Sequence, residues 1–284
     1  MNNLNKIPIH DSSLRHSTGQ AIYIDDMPEQ ENLLHGAPVL SKVACGKIKK
    51  INSDKLKDLP FFTKIITAKD IPGENEIGPI KSGEPVLANE FFSYLGQPVA
   101  IVLAKTHQEA MYASTLVDIE TEFTTEPILN LDDAYKQKSF LEDPMILEKG
   151  NIKKEMSKSN YKLSGNFEIG GQDHFYLETH VAITFPGEND EYVVWSSTQH
   201  PTEVQHGIGK VLNIPSAKID SKVRRLGGGF GGKESQATIF AAMSALGAYV
   251  TQKPVKIRLN RHTDMTATGK RHDFKVHYTA GITN

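Results

Sequence analysis

This chain is organised around one glycine-rich stretch, Arg224-Arg225-Leu226-Gly227-Gly228-Gly229-Phe230-Gly231-Gly232-Lys233-Glu234. Before it, Ile219, Ser221 and Val223 alternate in the pattern of a half-buried strand. After it, residues 237–250 are rich in alanine and long enough to form a buried helix. We therefore predict a strand, a glycine loop and a helix in succession. Five glycines in six positions let the backbone turn sharply and approach a ligand closely, since no Cβ stands in the way.

The charges around this loop favour an anionic ligand. The unpaired amides of a helix's first turn attract anions, and Arg224, Arg225 and Lys233 lie beside the glycines. We therefore expect the loop to bind a ligand that carries a phosphate group. A structural glycine turn without any ligand stays open as the plainer interpretation.

A dinucleotide-binding fingerprint is one alternative for the loop. Its spacing fits Gly227-x-Gly229-x-x-Gly232, but the fingerprint also needs an acidic residue about 20 positions on, after the next strand. The next predicted strand covers residues 255–259 and is followed by Asn260. The partner for the ribose is therefore missing.

A P-loop is the second alternative. Gly227-x-x-x-x-Gly232-Lys233 matches most of that motif, but Glu234 stands where the magnesium-binding Ser or Thr belongs. A carboxylate at that position would repel a triphosphate. A non-catalytic nucleotide- or anion-binding domain that uses the glycine loop remains a hypothesis from another functional class.

Five further segments accompany the glycine loop. They are His16-Ser17-Thr18-Gly19-Gln20-Ala21-Ile22-Tyr23-Ile24-Asp25-Asp26, Asp70-Ile71-Pro72-Gly73-Glu74-Asn75, Gly96-Gln97-Pro98-Val99-Ala100, Gly170-Gly171-Gln172-Asp173-His174-Phe175-Tyr176-Leu177-Glu178-Thr179 and Ser197-Thr198-Gln199-His200-Pro201. Together, and in this order, the six segments resemble the molybdopterin-binding subunit of xanthine dehydrogenases, in the molybdenum hydroxylase family. The resemblance implies an α+β fold, with an amino-terminal α/β hammerhead-like domain followed by the first part of a molybdopterin-binding domain of mixed sheets and helices.

The composition is that of an ordinary globular protein, with 38% hydrophobic and 23% charged residues among 284. A net charge of -2 argues against a nucleic-acid partner, which would need a basic surface. Cys45 is the one cysteine, so this chain alone cannot form an internal disulfide or a cysteine-bound iron–sulfur cluster. Residues 1–8 show no apolar signal core, and no stretch has the length of a membrane span. We expect a cytoplasmic protein without a membrane partner.

The domain organisation follows from composition and resemblance. We predict a loose polar arm over residues 1–14, the hammerhead domain over 15–125, a polar linker over 126–160 and the molybdopterin-binding domain over 161–284. The family's subunit continues well past the position that resembles Asn284, so we expect a truncated domain.

Local patterns predict the individual elements. The strands are expected at residues 21–24, 37–43, 62–67, 99–103, 117–123, 161–169, 174–185, 192–197, 255–259 and 274–278. A capping box, Thr106-His107-Gln108-Glu109, predicts a helix start, and another helix should run from Pro201 to about Leu212. The lysines at 47, 49 and 50 are interpreted as a solvated face.

The resemblance implies a molybdenum ion held by a pterin cofactor, with no metal ligand from the protein. The residues themselves agree with this, because the paired histidines at 174 and 180 and at 200 and 206 are more typical of structural roles than of a metal site. By resemblance, the residues that bind the cofactor are Gly171, Gln172, Arg225, Gly229, Phe230 and Gly231. The two arginines of the loop could equally pair with surface acids.

Gln172 and Glu234 are the predicted catalytic residues. In the family, the glutamine of this motif hydrogen-bonds an oxo group of the molybdenum, and a neutral amide donor polarises that oxygen without adding a titrating proton. Phe230 and Glu234 are expected to bind substrate. Purine hydroxylases carry glutamate at the position of Glu234, whereas aldehyde oxidases carry apolar residues there.

The reaction implied is hydroxylation of xanthine or hypoxanthine towards urate, with oxygen that comes from water. The alternative within the family is an aldehyde or other N-heterocycle hydroxylase. The family's general base and substrate arginine lie beyond this stretch. Electrons would leave through iron–sulfur and FAD groups on partner subunits or domains, so we expect the chain to need these partners and the rest of the molybdenum subunit for activity.

Overall fold

The computed structural model describes residues 10–79, 81–123 and 125–283. It divides the chain into two compact units. The first unit contains the residues up to 124 together with 175–268, and the second contains 125–174 together with 269–284. Most of the predicted amino-terminal arm and the last residue, Asn284, lie outside the described residues.

The strands and helices of the described residues are numbered here in chain order. The strands are β1 (Leu34–Leu40), β2 (Gly46–Asn52), β3 (Phe62–Thr67), β4 (Phe91–Phe92), β5 (Pro98–Ala104), β6 (Asp118–Glu122), β7 (Tyr161–Ile169), β8 (Val181–Pro186), β9 (Tyr192–Ser196), β10 (Ile219–Lys222), β11 (Val255–Arg258) and β12 (Phe274–Ile282). The α-helices are α1 (Ser13–Ser17), α2 (His107–Leu116), α3 (Leu131–Lys136), α4 (Ile152–Lys158), α5 (Pro201–Leu212), α6 (Gln236–Thr251) and α7 (Arg261–Ala267).

A seven-stranded mixed sheet forms the centre of the first unit, in the order β10-β9-β8-β11-β1-β5-β3. Strand β1 pairs in parallel with β11 and antiparallel with β5. The sheet is therefore continuous from strands near the start of the chain to strands that precede and follow the glycine loop. A smaller sheet, β4-β2-β6, belongs to the same unit.

The core lies on both faces of the seven-stranded sheet. Strand β5 is buried along its whole length because alternate side chains enter two different layers. Ile101 and Leu103 join the layer that contains α5 and α6, whereas Ala100 and Val102 pack with residues of α2. Helix α6 is buried from Ala237 to Ala248, which explains why its sequence is apolar all round. This mixed arrangement confirms the predicted α+β class.

Several local predictions are confirmed. Strand β10, the glycine loop and α6 follow one another as expected. Helix α5 has Pro201 in its first turn, where a missing N–H costs nothing. The side-chain oxygen of Thr106 accepts the Glu109 N–H at 3.3 Å and caps α2.

Two predicted strands are wrong in part or whole. Residues 21–24 do not form a strand, and Ile24–Asp26 form a 3₁₀ turn. The Asp26 carboxylate accepts the Tyr23 N–H at 3.0 Å and so competes with strand pairing. The strand predicted at 174–185 begins only at Val181. Its first residues form a loop in which Phe175 has a φ of 48°.

Strand β2 was not predicted because its pattern is irregular. Its lysines suggested a solvated face, and Ile48 and Ile51 do not alternate. A bulge between residues 48 and 50 shifts the register against β6, so the period-2 pattern is broken inside the strand.

The second unit contains an antiparallel pair in which β7 and β12 match along their whole lengths. Helices α3 and α4 lie within the segment predicted as a linker. The side chains of Asn130 and Asn151 accept backbone N–H groups at their amino ends. In the described parts of the chain, no helix has both the length and the apolar character that a membrane crossing requires.

Candidate functional site

The glycine loop occupies residues 223–235, between β10 and α6. Helix α6 begins at Gln236, so Gly232, the last glycine, lies four residues ahead of it. Residues 233–235 therefore separate the glycines from the first turn of the helix. Any ligand held by the glycines would contact the loop itself.

Glu178 fixes the start of the loop. Its Oε2 atom accepts the Gly227 N–H at 2.8 Å, and its own N–H donates to the Gly227 carbonyl at 3.1 Å. A Cβ at position 227 would overlap the Cβ of Glu178. Glycine is required here because the loop packs closely on this side chain.

Gln199 fixes the end of the loop. Its Oε1 atom accepts the Gly231 N–H at 3.0 Å and the Lys233 N–H at 3.2 Å. A Cβ on Gly229 would lie 2.5 Å from the same oxygen. The glycines at 227 and 229 thus allow the loop to pack against two polar side chains, a role that the sequence did not reveal.

The tip of the loop has left-handed backbone. The φ angles are 92° at Gly228, 54° at Phe230 and 90° at Gly231. A phenylalanine with positive φ is strained and needs support from its surroundings. Phe230 is nevertheless 75% exposed, so packing among the described residues covers little of its ring, whose edge lies close to Gly228.

Three successive amides at this tip are unpaired. Within the described residues, the N–H groups of Gly228, Gly229 and Phe230 have no hydrogen-bond acceptor, whereas those of Gly227 and Gly231 do. Consecutive N–H groups next to left-handed residues form a concave site for electron-rich atoms. The loop therefore offers a cradle of donors, beside which the ring of Phe230 lies close to Gly228.

Lys233 points away from this cradle. Its side chain is completely buried, with Nζ 3.2 Å from Glu178 Oε2 and 4.7 Å from the centre of the Tyr176 ring. Burial lowers the pKa of Lys233, and the Glu178 carboxylate opposes that change. A lysine held in this way cannot reach a nucleotide phosphate, which rules out its use as a P-loop lysine.

A second buried group supports the segment that carries Glu178. The Tyr176 hydroxyl donates to Asp264 Oδ1 at 2.7 Å, and the His180 N–H donates to Oδ2 at 2.7 Å. Burial lowers the pKa of His180. Burial raises the pKa of Asp264, but the hydrogen bonds from His180 and Tyr176 outweigh it and bring that pKa below its usual range. His180 therefore has a structural role.

Among the residues that the structure describes, no group of three or more His, Cys, Asp and Glu side chains could hold a metal ion. Glu234 is exposed at the end of the loop. Arg225 donates to the Ile22 carbonyl and to the Ser12 hydroxyl, both at 3.3 Å. Arg224 lies 3.9 Å from Asp11. Both guanidinium groups thus contact residues near the start of the chain.

Gln172 and Gly171 belong to the second unit. The Gln172 backbone exchanges two hydrogen bonds of 3.0 Å with Arg271, and its side chain is exposed. The Arg271 guanidinium also donates to the Gly170 carbonyl at 2.7 Å. These contacts fix the turn that presents the glutamine side chain.

Sequence reasoning missed the roles of Tyr176, Glu178 and Gln199 in holding the loop, and it interpreted Lys233 as a charge for an anionic ligand, whereas Lys233 is buried against Glu178. A usable signal existed, because Glu178 and Gln199 lie in two of the six segments. Asking which polar side chains could satisfy the amides of a glycine loop would have pointed to them.

Two family models match the chain. Residues 18–125 match the "aldehyde oxidase and xanthine dehydrogenase, a/b hammerhead domain", and residues 135–284 match the "molybdopterin cofactor-binding domain". The second match contains the glycine loop, and the two matches together cover most of the chain.

Curated relatives include two kinds of enzyme. Xanthine dehydrogenase of Dictyostelium discoideum is 38% identical over 96% of this chain, and aldehyde oxidase 2 of Macaca fascicularis is 38% identical over 97%. The chain spans only 20% of the length of each. Among solved structures, quinoline 2-oxidoreductase from Pseudomonas putida 86 superposes with a TM-score of 0.83 at 20% identity. That alignment covers 97% of this chain and 37% of the other, and it shows a shared fold.

Proposed function

The chain belongs to the aldehyde oxidase and xanthine dehydrogenase family and contains its molybdopterin cofactor-binding domain, and from this premise we propose that it forms part of the cofactor and substrate site of a purine hydroxylase. The observation that carries the proposal is the cradle of unpaired amides at Gly228, Gly229 and Phe230. The substrate would be xanthine or hypoxanthine.

The residues at the loop suit a molybdopterin. That cofactor presents oxygen, nitrogen and sulfur acceptors, and the cradle presents N–H donors from three adjacent residues. When bound, the cofactor supplies a water-derived oxygen to the substrate carbon and takes up two electrons. We assign cofactor contacts to Gly229, Phe230 and Gly231 in the loop, with Gly171, Gln172 and Arg225 as further contacts.

Three side chains have distinct tasks in this proposal. The exposed ring of Phe230 offers a flat apolar wall for a planar heterocycle. The carboxylate of Glu234 accepts a ring N–H of the purine and so holds and orients the ring. The amide of Gln172 donates a hydrogen bond to an oxygen of the cofactor without contributing a titrating proton.

Glu234 is what favours purines over aldehydes. Overall identity does not discriminate, because a xanthine dehydrogenase and an aldehyde oxidase are both 38% identical to the chain. An aldehyde has no ring N–H to pair with this carboxylate, whereas a purine offers one and so gains a charge-assisted hydrogen bond. The aldehyde oxidase relative makes aldehyde oxidation the second candidate.

A substrate panel with the complete native protein tests the proposal. We expect xanthine or hypoxanthine to be oxidised faster than aromatic aldehydes. The variant Glu234→Ala should lower kcat/KM for the purine about 100-fold while the molybdenum content stays at the wild-type level. Glu90→Ala, which removes another exposed carboxylate of the same unit, should leave both quantities unchanged.

Two outcomes would refute this assignment. Faster turnover of aldehydes that is insensitive to Glu234→Ala would support the aldehyde alternative. A protein without molybdenum that binds NAD or ATP saturably in calorimetry would be a nucleotide-binding domain instead.

The remaining organisation is proposed on the same premise. Iron–sulfur and FAD groups on partner subunits or domains would carry the electrons away, and the rest of the molybdenum subunit would supply the general base and a substrate-binding arginine. The hammerhead domain is assigned to residues 15–125, the linker to 126–160 and the cofactor-binding domain to 161–284. The cytoplasm is the proposed location.

A further inference from the structure

We propose that Gln199 is a positioning residue, which sets the shape of the glycine loop so that the three unpaired amides and the ring of Phe230 face one ligand. Its effect on turnover rests on the function proposed above. Its effect on the loop does not depend on that function.

Gln199 contacts the loop at several points. Its side-chain oxygen accepts the N–H groups of Gly231 and Lys233, and its own N–H donates to the Lys233 carbonyl at 2.8 Å. The neighbouring Thr198 hydroxyl adds a hydrogen bond of 3.3 Å to that carbonyl. One residue thus holds both ends of a three-residue turn directly after Phe230.

The position of Gln199 is itself fixed by the sheet. It follows β9 after two residues, and the Ser197 N–H donates to the Val181 carbonyl of β8 at 2.9 Å. Thr198 is buried. The acceptor oxygen is therefore held by the central sheet, and the loop takes its shape from that oxygen.

Glu178 and Gln199 divide the loop between them. Glu178 holds Gly227 on one side, and Gln199 holds Gly231 on the other. The unpaired amides are those that lie between these two points. Loss of the Glu178 or the Gln199 side chain would therefore leave the unpaired amides anchored by hydrogen bonds on one side only.

The exposure of Gln199 makes the test practical. Its side chain is exposed, so water can replace the lost acceptor when it is removed, and the change stays local. We therefore expect Gln199→Leu to fold while its loop opens more often.

Hydrogen exchange on the complete native protein is the primary measurement. In Gln199→Leu, the amides of Gly231 and Lys233 should exchange about tenfold faster, whereas those of α6 keep the wild-type rate. Gln199→Glu keeps an acceptor oxygen and should restore most of the protection. Gln205→Leu is the matched control, because its Nε2 makes one hydrogen bond of 2.8 Å to the Ile219 carbonyl away from the loop.

A second variant disturbs the hydrogen bonds to Gln199 Oε1 by a change in the loop instead of in Gln199. Gly229→Ala places a Cβ 2.5 Å from Gln199 Oε1, so it should speed exchange at the same two amides. If Gln199→Leu does not fold, this variant and Gln199→Glu decide the question.

Turnover per bound molybdenum, measured with the preferred purine, shows whether the loop's shape matters. We expect kcat to fall about tenfold in Gln199→Leu and to be unchanged in Gln205→Leu. If the amides of Gly231 and Lys233 exchange at the wild-type rate in Gln199→Leu, the proposal is overturned. It is also overturned if these amides exchange faster in Gln199→Leu while kcat stays at the wild-type value. If the wild-type protein contains no molybdenum, the proposed function fails, and the exchange rates still decide whether Gln199 holds the loop.

Discussion

The buried pair of Lys233 and Glu178 gives a sharp quantitative test. Nζ and Oε2 are 3.2 Å apart, and the two side chains are 0% and 12% exposed. At an effective dielectric constant of about 20, charges at that separation attract by about 5 kcal/mol. Desolvation offsets most of this gain, so the intact pair adds little net stability, whereas removing one partner alone costs about 3 kcal/mol or more.

A double-mutant cycle isolates the coupling between these charges. We expect Lys233→Met and Glu178→Gln each to lower the free energy of unfolding by about 3 kcal/mol. The double variant should differ little from the wild type because it leaves neither charge without its partner, whereas additivity would give a loss of roughly 6 kcal/mol. Glu178→Gln keeps an oxygen that accepts the Gly227 N–H, so the cycle reports mainly the charge.

Urea denaturation at pH 7 provides the assay. Trp195 is the one tryptophan of the chain and lies on β9, so its fluorescence reports unfolding of the first unit. The control is Lys57→Met, which breaks an ion pair with Asp54 of 2.7 Å whose side chains are both exposed. We expect no measurable change there. Additive losses for Lys233 and Glu178, or greater stability of Lys233→Met, would refute the reasoning.

Three further predictions concern single positions. Burial lowers the pKa of His180 below its ordinary 6.5, so the unfolded chain takes up a proton first as the pH falls. The stabilising contribution of His180 is complete above pH 6.5 and decreases below that pH, and urea titrations at decreasing pH should show a weaker pH dependence in His180→Asn. Gly228→Ala should cost about 1 kcal/mol in the same titrations because φ is 92°, and a neutral result would show that the tip relaxes. Thr106→Ala should cost about 1 kcal/mol through the lost cap of α2, and an unchanged midpoint would show that water replaces the cap.

Elements with strong local signals could be predicted from the sequence. Strand β7 and helix α5 have the expected bounds, because alternation and a proline in the first turn act within a few residues. The family and the glycine loop were also recognisable, since they depend on quoted motifs.

What the sequence could not show depends on contacts between distant residues. Lys233 is buried against a carboxylate 55 positions earlier, whereas a lysine beside exposed glycines is expected to reach solvent or a ligand. The reason for glycine at 227 and 229 is likewise the packing of Glu178 and Gln199. The bulge in β2 hides its alternation in the same way, since only pairing with β6 reveals it.

Amide exchange at residues 228–230, compared between cofactor-loaded and cofactor-free native protein, tests the central claim most directly. We predict that loading slows exchange of these three amides at least about tenfold, while the amides of Gly227 and Gly231, which already have acceptors within the chain, change less. Equal exchange at residues 228–230 in the two forms would contradict the claim that the glycine loop holds the molybdopterin.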